Sequence, residues 1–227
     1  MPAPVLLLTR PRAASEAFAG LVGAQLGRDI RVLVSPVIEI VDHGPLPDLS
    51  ATGTLILTST HAAERLGRSG ALVGRDVRTV GDATAHAAGM HGAKAIALGH
   101  DAQSFLQNAR DLAPPCTHCR GVHTRGDIAA TLNARGIRCD EAVIYDQRAR
   151  DLSDEARAAF SDGERMVAPI FSPRSAQLLS AQVPSNANLS VIAISPAAAE
   201  AWSGPGCLTI APTPTSIAMV EAVADAF

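Results

Sequence analysis

The stretch TLILTSTHAAERL, residues 54–66, opens as an apolar β-type run and becomes a helix-type segment at Thr58-Ser59-Thr60. PIFSPRSAQLL, residues 169–179, does the same, with Ser172 standing where the first stretch has Ser59. Working outward, VRTVGDATAHAAGMHGAKAIAL resembles VIAISPAAAEAWSGPGCLTIA and sets Gly81 opposite Ser195. The step from Ser59 to Gly81 matches the step from Ser172 to Ser195 to within one residue. DAQSFLQ then matches TPTSIAMV, which sets Asp101 opposite Thr213. LLLTRP near the N-terminus resembles GVHTRG and pairs Thr9-Arg10 with Thr124-Arg125. The chain therefore carries an internal duplication.

The β-type runs are residues 5–9, 54–58, 77–80, 95–98, 121–124, 166–171, 190–194 and 208–211, and most are apolar on both faces. That is the pattern of parallel strands covered by helices. Their alternation with helix-type segments predicts an α/β fold of open, doubly wound, flavodoxin-like parallel sheets. One copy of the repeat runs in order over residues 46–137; the other starts near 151, and its missing unit sits at the N-terminus. The expectation is two lobes, one built from residues 1–36 with 151–227 and the other from 46–137. The crossings, 37–45 and 138–150, contain VIEIVDH and EAVIYDQRA and are expected to pair as a two-strand β-ladder. Lobes on such a hinge are expected to enclose a ligand cleft.

Composition excludes several functions. A net charge of −3 and a pI near 6.1 give no basic field for nucleic acid. Aromatics at 3% supply no base-stacking surface. Lys94 is the one lysine among 19 basic residues, which leaves little for Schiff-base chemistry. No apolar run approaches the ~18 residues of a membrane span. The apolar run at 5–8 is too short for a signal peptide. Four cysteines without an export signal read as reduced thiols, and a cytoplasmic monomer is expected. PPCTHCRGVH gathers Cys116, His118, Cys119 and His123, but its CxxC has no second pair at zinc-finger distance. It reads as a loop entering a strand.

Small polar residues follow most strand ends: Thr58-Ser59-Thr60, Gly81-Asp82, Thr124-Arg125-Gly126-Asp127, Ser172-Pro173, Ser195-Pro196 and Thr213-Pro214-Thr215. They cap helices, and the helix N-termini behind them offer free N–H groups to carboxylates or phosphates. Arg10, Arg12, Arg125 and Arg174 follow strand ends too and can clamp carboxylates bidentately. No GxGxxG or GxxxxGK[ST] nucleotide motif occurs.

These segments also resemble a known family. TRP at 9–11, LTST followed by AAE, VGDATA at 80–85, TRGD at 124–127, VIYDQ at 143–147, IFSP at 170–173, AISP at 193–196 and PTPTS at 212–216 fall in the order of uroporphyrinogen-III synthases. The resemblance covers essentially the whole chain. It implies a lyase of heme and tetrapyrrole biosynthesis that closes hydroxymethylbilane, an octa-anion, into uroporphyrinogen III with loss of water. It further implies no metal or organic cofactor and a route through an azafulvene and a spiro intermediate. The binding positions it carries over are Ser59, Gly81, Asp82, Thr84, Ser172 and Ser195, with Tyr145 as the family's tyrosine and the expected catalytic residue. Thr60, Gly126, Arg10, Arg125 and Arg174 join them as expected substrate contacts from their place after strands. A non-catalytic two-lobed module binding a small polyanion is the alternative with the same fold.

Overall fold

The computed structural model describes residues 3–123 and 126–227. Thr124 and Arg125 lie outside the described residues. From the N-terminus the elements are β1 Val5–Leu8, α1 Arg12–Leu26, β2 Val32–Val34 and β3 Ile38–Asp42. There follow β4 Thr54–Leu57, α2 Thr60–Arg68, β5 Asp76–Val80, α3 Asp82–Met90, β6 Lys94–Gly99 and α4 Ala102–Asn108. Next come β7 Cys116–Gly121, α5 Ile128–Ala134, β8 Cys139–Ala149, α6 Asp154–Ser161, β9 Met166–Ile170 and α7 Pro173–Ser180. The chain closes with β10 Leu189–Ala193, α8 Pro196–Glu200, β11 Cys207–Ile210 and α9 Ser216–Ala224. Two compact units result: Met1–Glu39 with Arg148–Phe227, and Ile40–Gln147.

The first unit holds a five-stranded sheet in the order β11-β10-β9-β1-β2. All of its strand pairings are parallel. Strand residues alternate between its two faces, and each face has its own helices. Leu6 and Leu8 pack with Phe18 and Val22 of α1 and Met219 and Val223 of α9. Val5 and Leu7 pack on the other face with Phe160 of α6 and Leu179 of α7. Each such fully buried side chain contributes ~1.5–3 kcal/mol.

The second unit holds a six-stranded sheet in the order β3-β8-β7-β4-β5-β6. Leu55 and Leu57 pack against Ala62 and Leu66 of α2 and Ala88 of α3. Ile56 faces the other way, toward Phe105 of α4 and Ile128 and Leu132 of α5. The sheet is thus doubly wound. Its β8-β7-β4-β5-β6 matches β2-β1-β9-β10-β11 position for position, which is the duplication in three dimensions. β3 runs antiparallel to β8: the His43 N–H donates to the Ile144 carbonyl and the Arg150 N–H to that of Val37. Because β8 also pairs with β7, this ladder is continuous with the sheet.

The CxxC segment is not a loop. Cys116–Gly121 is β7 itself, between β4 and β8. In a strand, residues three apart point to opposite faces. Cys116 accordingly packs with Phe105 and Ile128, while Cys119 packs with Leu55 and Leu57. Burial pushes the Cys119 thiol up to about 12, so it is an inert core residue. Among the described residues, no group of three His, Cys, Asp or Glu side chains is placed to share a metal ion.

Candidate active site

In the second unit the chain runs from β4 through β5 to β6 and then returns to β7 on the other side of β4. Such a reversal opens a crevice beyond the carboxyl ends of the two diverging strands. A cleft of about 480 Å³ lies there, lined by Thr58, Val80, Asp101, Ala102, Gln103, His123, Gly126 and Tyr145. Thr58 follows β4 and His123 follows β7, so the strand reversal itself builds two of its walls.

Tyr145 reaches the cleft from β8 with only 5% of its surface exposed. Its ring meets that of His61 edge-on, centroids 5.8 Å apart. Gly121 also meets this ring and must be glycine: a Cβ there would stand 2.6 Å from two ring carbons of Tyr145. His61 is in the first turn of α2, where its N–H donates to the Ser59 hydroxyl at 3.2 Å. Burial holds the His61 imidazole below its ordinary range, partly offset by Glu64. Thr60 opens the same helix.

The next rim position differs in kind. Gly81 adopts φ 81°, a conformation that side chains disfavour, and offers no cap to α3. Among the described residues, the opening N–H groups of that helix, on Asp82, Ala83 and Thr84, find no acceptor. Uncapped donors at the positive end of a helix form a ready anion receptor. Thr84 itself is buried. Asp101 caps α4 in a reciprocal box with Ser104. The Ser104 backbone N–H and hydroxyl hold its carboxyl below the ordinary range.

The equivalent rim of the first unit carries Arg10, Ser172, Arg174 and Ser195. The Ser172 hydroxyl accepts from the Ser175 N–H at 3.1 Å, and Ser195 accepts from the Ala198 N–H at 3.3 Å. Pro173 and Pro196 open α7 and α8, where a missing N–H costs nothing. Arg174 follows Pro173 and is half-buried. Arg10 lies where β1 and β9 diverge, its guanidinium 4.5 Å from the Phe171 ring centroid. Burial lowers its pKa, yet a guanidinium remains cationic in proteins.

Of the expected site residues, Tyr145 and Gly126 line the cleft, and Ser59, Thr60, Gly81, Asp82 and Thr84 sit at the helix starts of the same unit. Arg125 lies outside the described residues. Sequence reasoning passed over Val80, Ala102, Gln103 and His123 as wall residues; each stands at a strand end or helix start, which was the signal available.

The model of the family described as uroporphyrinogen-III synthase HemD matches residues 21–221. The chain belongs to the uroporphyrinogen-III synthase family. Its activity is therefore that of a cyclising lyase of tetrapyrrole biosynthesis, and the non-catalytic alternative is not favoured. Among solved structures, uroporphyrinogen-III synthetase from Helicobacter pylori 26695 is similar at 16% identity and a TM-score of 0.71, with 99% of this chain and 100% of that one covered. A mutant uroporphyrinogen III synthase from the extremely thermophilic bacterium Thermus thermophilus is similar at 16% identity and a TM-score of 0.55, covering 99% and 98%. These likenesses show the shared fold. Comparison with curated protein sequences gives no match.

Proposed function

We propose that the chain converts hydroxymethylbilane into uroporphyrinogen III and water on the strand-end cleft of the second unit. The observation that carries this reading is the uncapped start of α3 beside Val80, a wall of that cleft. Three N–H donors and a helix dipole suit a substrate whose periphery is carboxylate. Ser59, Thr60 and Gly126 add donors along the same rim, and Arg10, Ser172, Arg174 and Ser195 of the first unit are further carboxylate-binding positions, as is Arg125.

Tyr145 is the catalytic residue in this reading. Loss of the terminal hydroxyl leaves an azafulvene, and the departing oxygen needs a hydrogen-bond or proton donor. A phenol packed against both His61 and Gly121 offers one at fixed position. Rearrangement then depends on which carbon of the last ring is held against the azafulvene, a matter of proximity and not of an aggressive catalytic group. We infer also that the chain acts as a monomer in the cytoplasm. No helix among the described residues is long and apolar enough to cross a membrane, and the apolar run near the N-terminus forms β1 of a packed sheet.

Kinetics of Tyr145→Phe test the assignment. General-acid contributions run to ~10²–10⁴-fold, so turnover should fall at least tenfold with KM little changed and uroporphyrinogen III still the enzymatic isomer. Full activity would reduce Tyr145 to packing.

A further inference from the structure

The cleft has a second group able to move a proton. His123 lines it from the end of β7, with its side chain 44% exposed. Its Nε2 lies 3.6 Å from Oδ1 of Asp146, the residue after Tyr145 on β8. An imidazole on a cleft wall with a carboxylate at ion-pair distance is the arrangement of an oriented acid–base group.

We propose that His123, oriented by Asp146, is a catalytic residue that protonates the departing terminal hydroxyl of the linear tetrapyrrole. The proposal rests on the reading of this cleft as the reaction site. In the step, the pyrrole nitrogen lone pair forms the exocyclic double bond while the carbon–oxygen bond breaks toward oxygen. The imidazolium proton goes to that oxygen, and water leaves. Neutral His123 recovers a proton when the rearranged ring loses one to regain aromaticity, so the cycle balances without an outside acid. Tyr145 then steadies the leaving oxygen by a hydrogen bond, while His123 supplies the proton. Among the described residues, the titratable groups that share the cleft with His123 are Asp101 at the head of α4 and Tyr145, and Asp146 lies at ion-pair distance from it.

The test uses the full-length chain, with hydroxymethylbilane as substrate and product isomers separated. The wild-type rate should decline as pH rises. His123→Gln should lower kcat at least tenfold at pH 7 and abolish that decline, with the thermal transition unchanged at so exposed a position. His123→Ala should regain activity on adding free imidazole. Tyr145→Phe, by contrast, should lower the rate while keeping the decline. An unaltered pH profile in His123→Gln, or no rescue of His123→Ala, overturns the proposal. If the wild-type chain gives no uroporphyrinogen III, the reading of the cleft fails first, and that outcome is separate from either.

Discussion

The guanidinium of Arg10 stacks 4.5 Å over the ring of Phe171, bridging the ends of β1 and β9 where their sheet reverses its order. Phe171 in turn meets Phe18 of α1 edge-on, with centroids 5.2 Å apart. The stack holds a positive charge at the strand ends with little freedom left to lose on binding. Arg10→Ala should therefore raise KM for hydroxymethylbilane about fivefold, a cost of ~1 kcal/mol. Arg10→Lys should recover only part of this, because an ammonium keeps the charge but not the planar stack. Equal KM in all three chains would remove Arg10 from the binding surface.

Donors at exposed helix starts also make a prediction about salt. Raising ionic strength from about 0.01 to 1 M shortens the Debye length from ~30 to ~3 Å, so KM for the octa-anion should climb steeply. Gly81→Ala should raise KM at low salt too, since a Cβ at φ 81° and ψ 143° costs ~1–3 kcal/mol and relief of that strain re-aims the N–H groups of α3. A KM independent of salt would contradict a helix-start receptor.

Gly121 and Tyr145 make a reciprocal pair. A methyl at 121 would meet the tyrosine ring at 2.6 Å, and the ring also meets that of His61. Gly121→Ala should cost ~1–3 kcal/mol of stability by overpacking and should slow turnover as the phenol is displaced. In a Tyr145→Leu background the same change should cost much less; urea denaturation of the four chains measures the coupling.

His118 sets the pH dependence of stability. It is 1% exposed on β7, its Nδ1 3.6 Å from Glu141 and its Nε2 3.5 Å from the Thr58 hydroxyl. Burial pushes it down to about 4 from the ordinary 6.5, against the pull of Glu141. A depressed imidazole stays neutral in the folded chain while the unfolded chain takes up a proton. Its contribution is thus complete above about pH 6.5 and is lost as pH falls toward 4, ~3 kcal/mol in all. His61, also depressed by burial, adds in the same direction. Urea midpoints measured between pH 7 and 4.5 should fall in the wild type and fall less in His118→Gln.

Much of the fold was legible because its strands are short apolar runs and its units repeat. Residues 5–8 and 54–57 are buried at every position, and runs apolar on both faces can be little else than strands within a covered sheet. β7 escaped because CTHCRG carries no such signal: two small thiols, a threonine and a neutral histidine are buried there without being strongly apolar. The helix starts at Ser59, Ser172 and Ser195 could be read from capping chemistry, which is local. The walls of the cleft could not. Contacts such as Tyr145 with Gly121 and His61, or His123 with Asp146, join residues far apart in sequence through strand order alone.

If this chain closes and rearranges a linear tetrapyrrole, its products will show it. The purified chain should be given hydroxymethylbilane, the products oxidised to porphyrins and the isomers resolved chromatographically. Uroporphyrinogen III should be the dominant isomer, formed faster than spontaneous closure. The unrearranged isomer at the uncatalysed rate would contradict it.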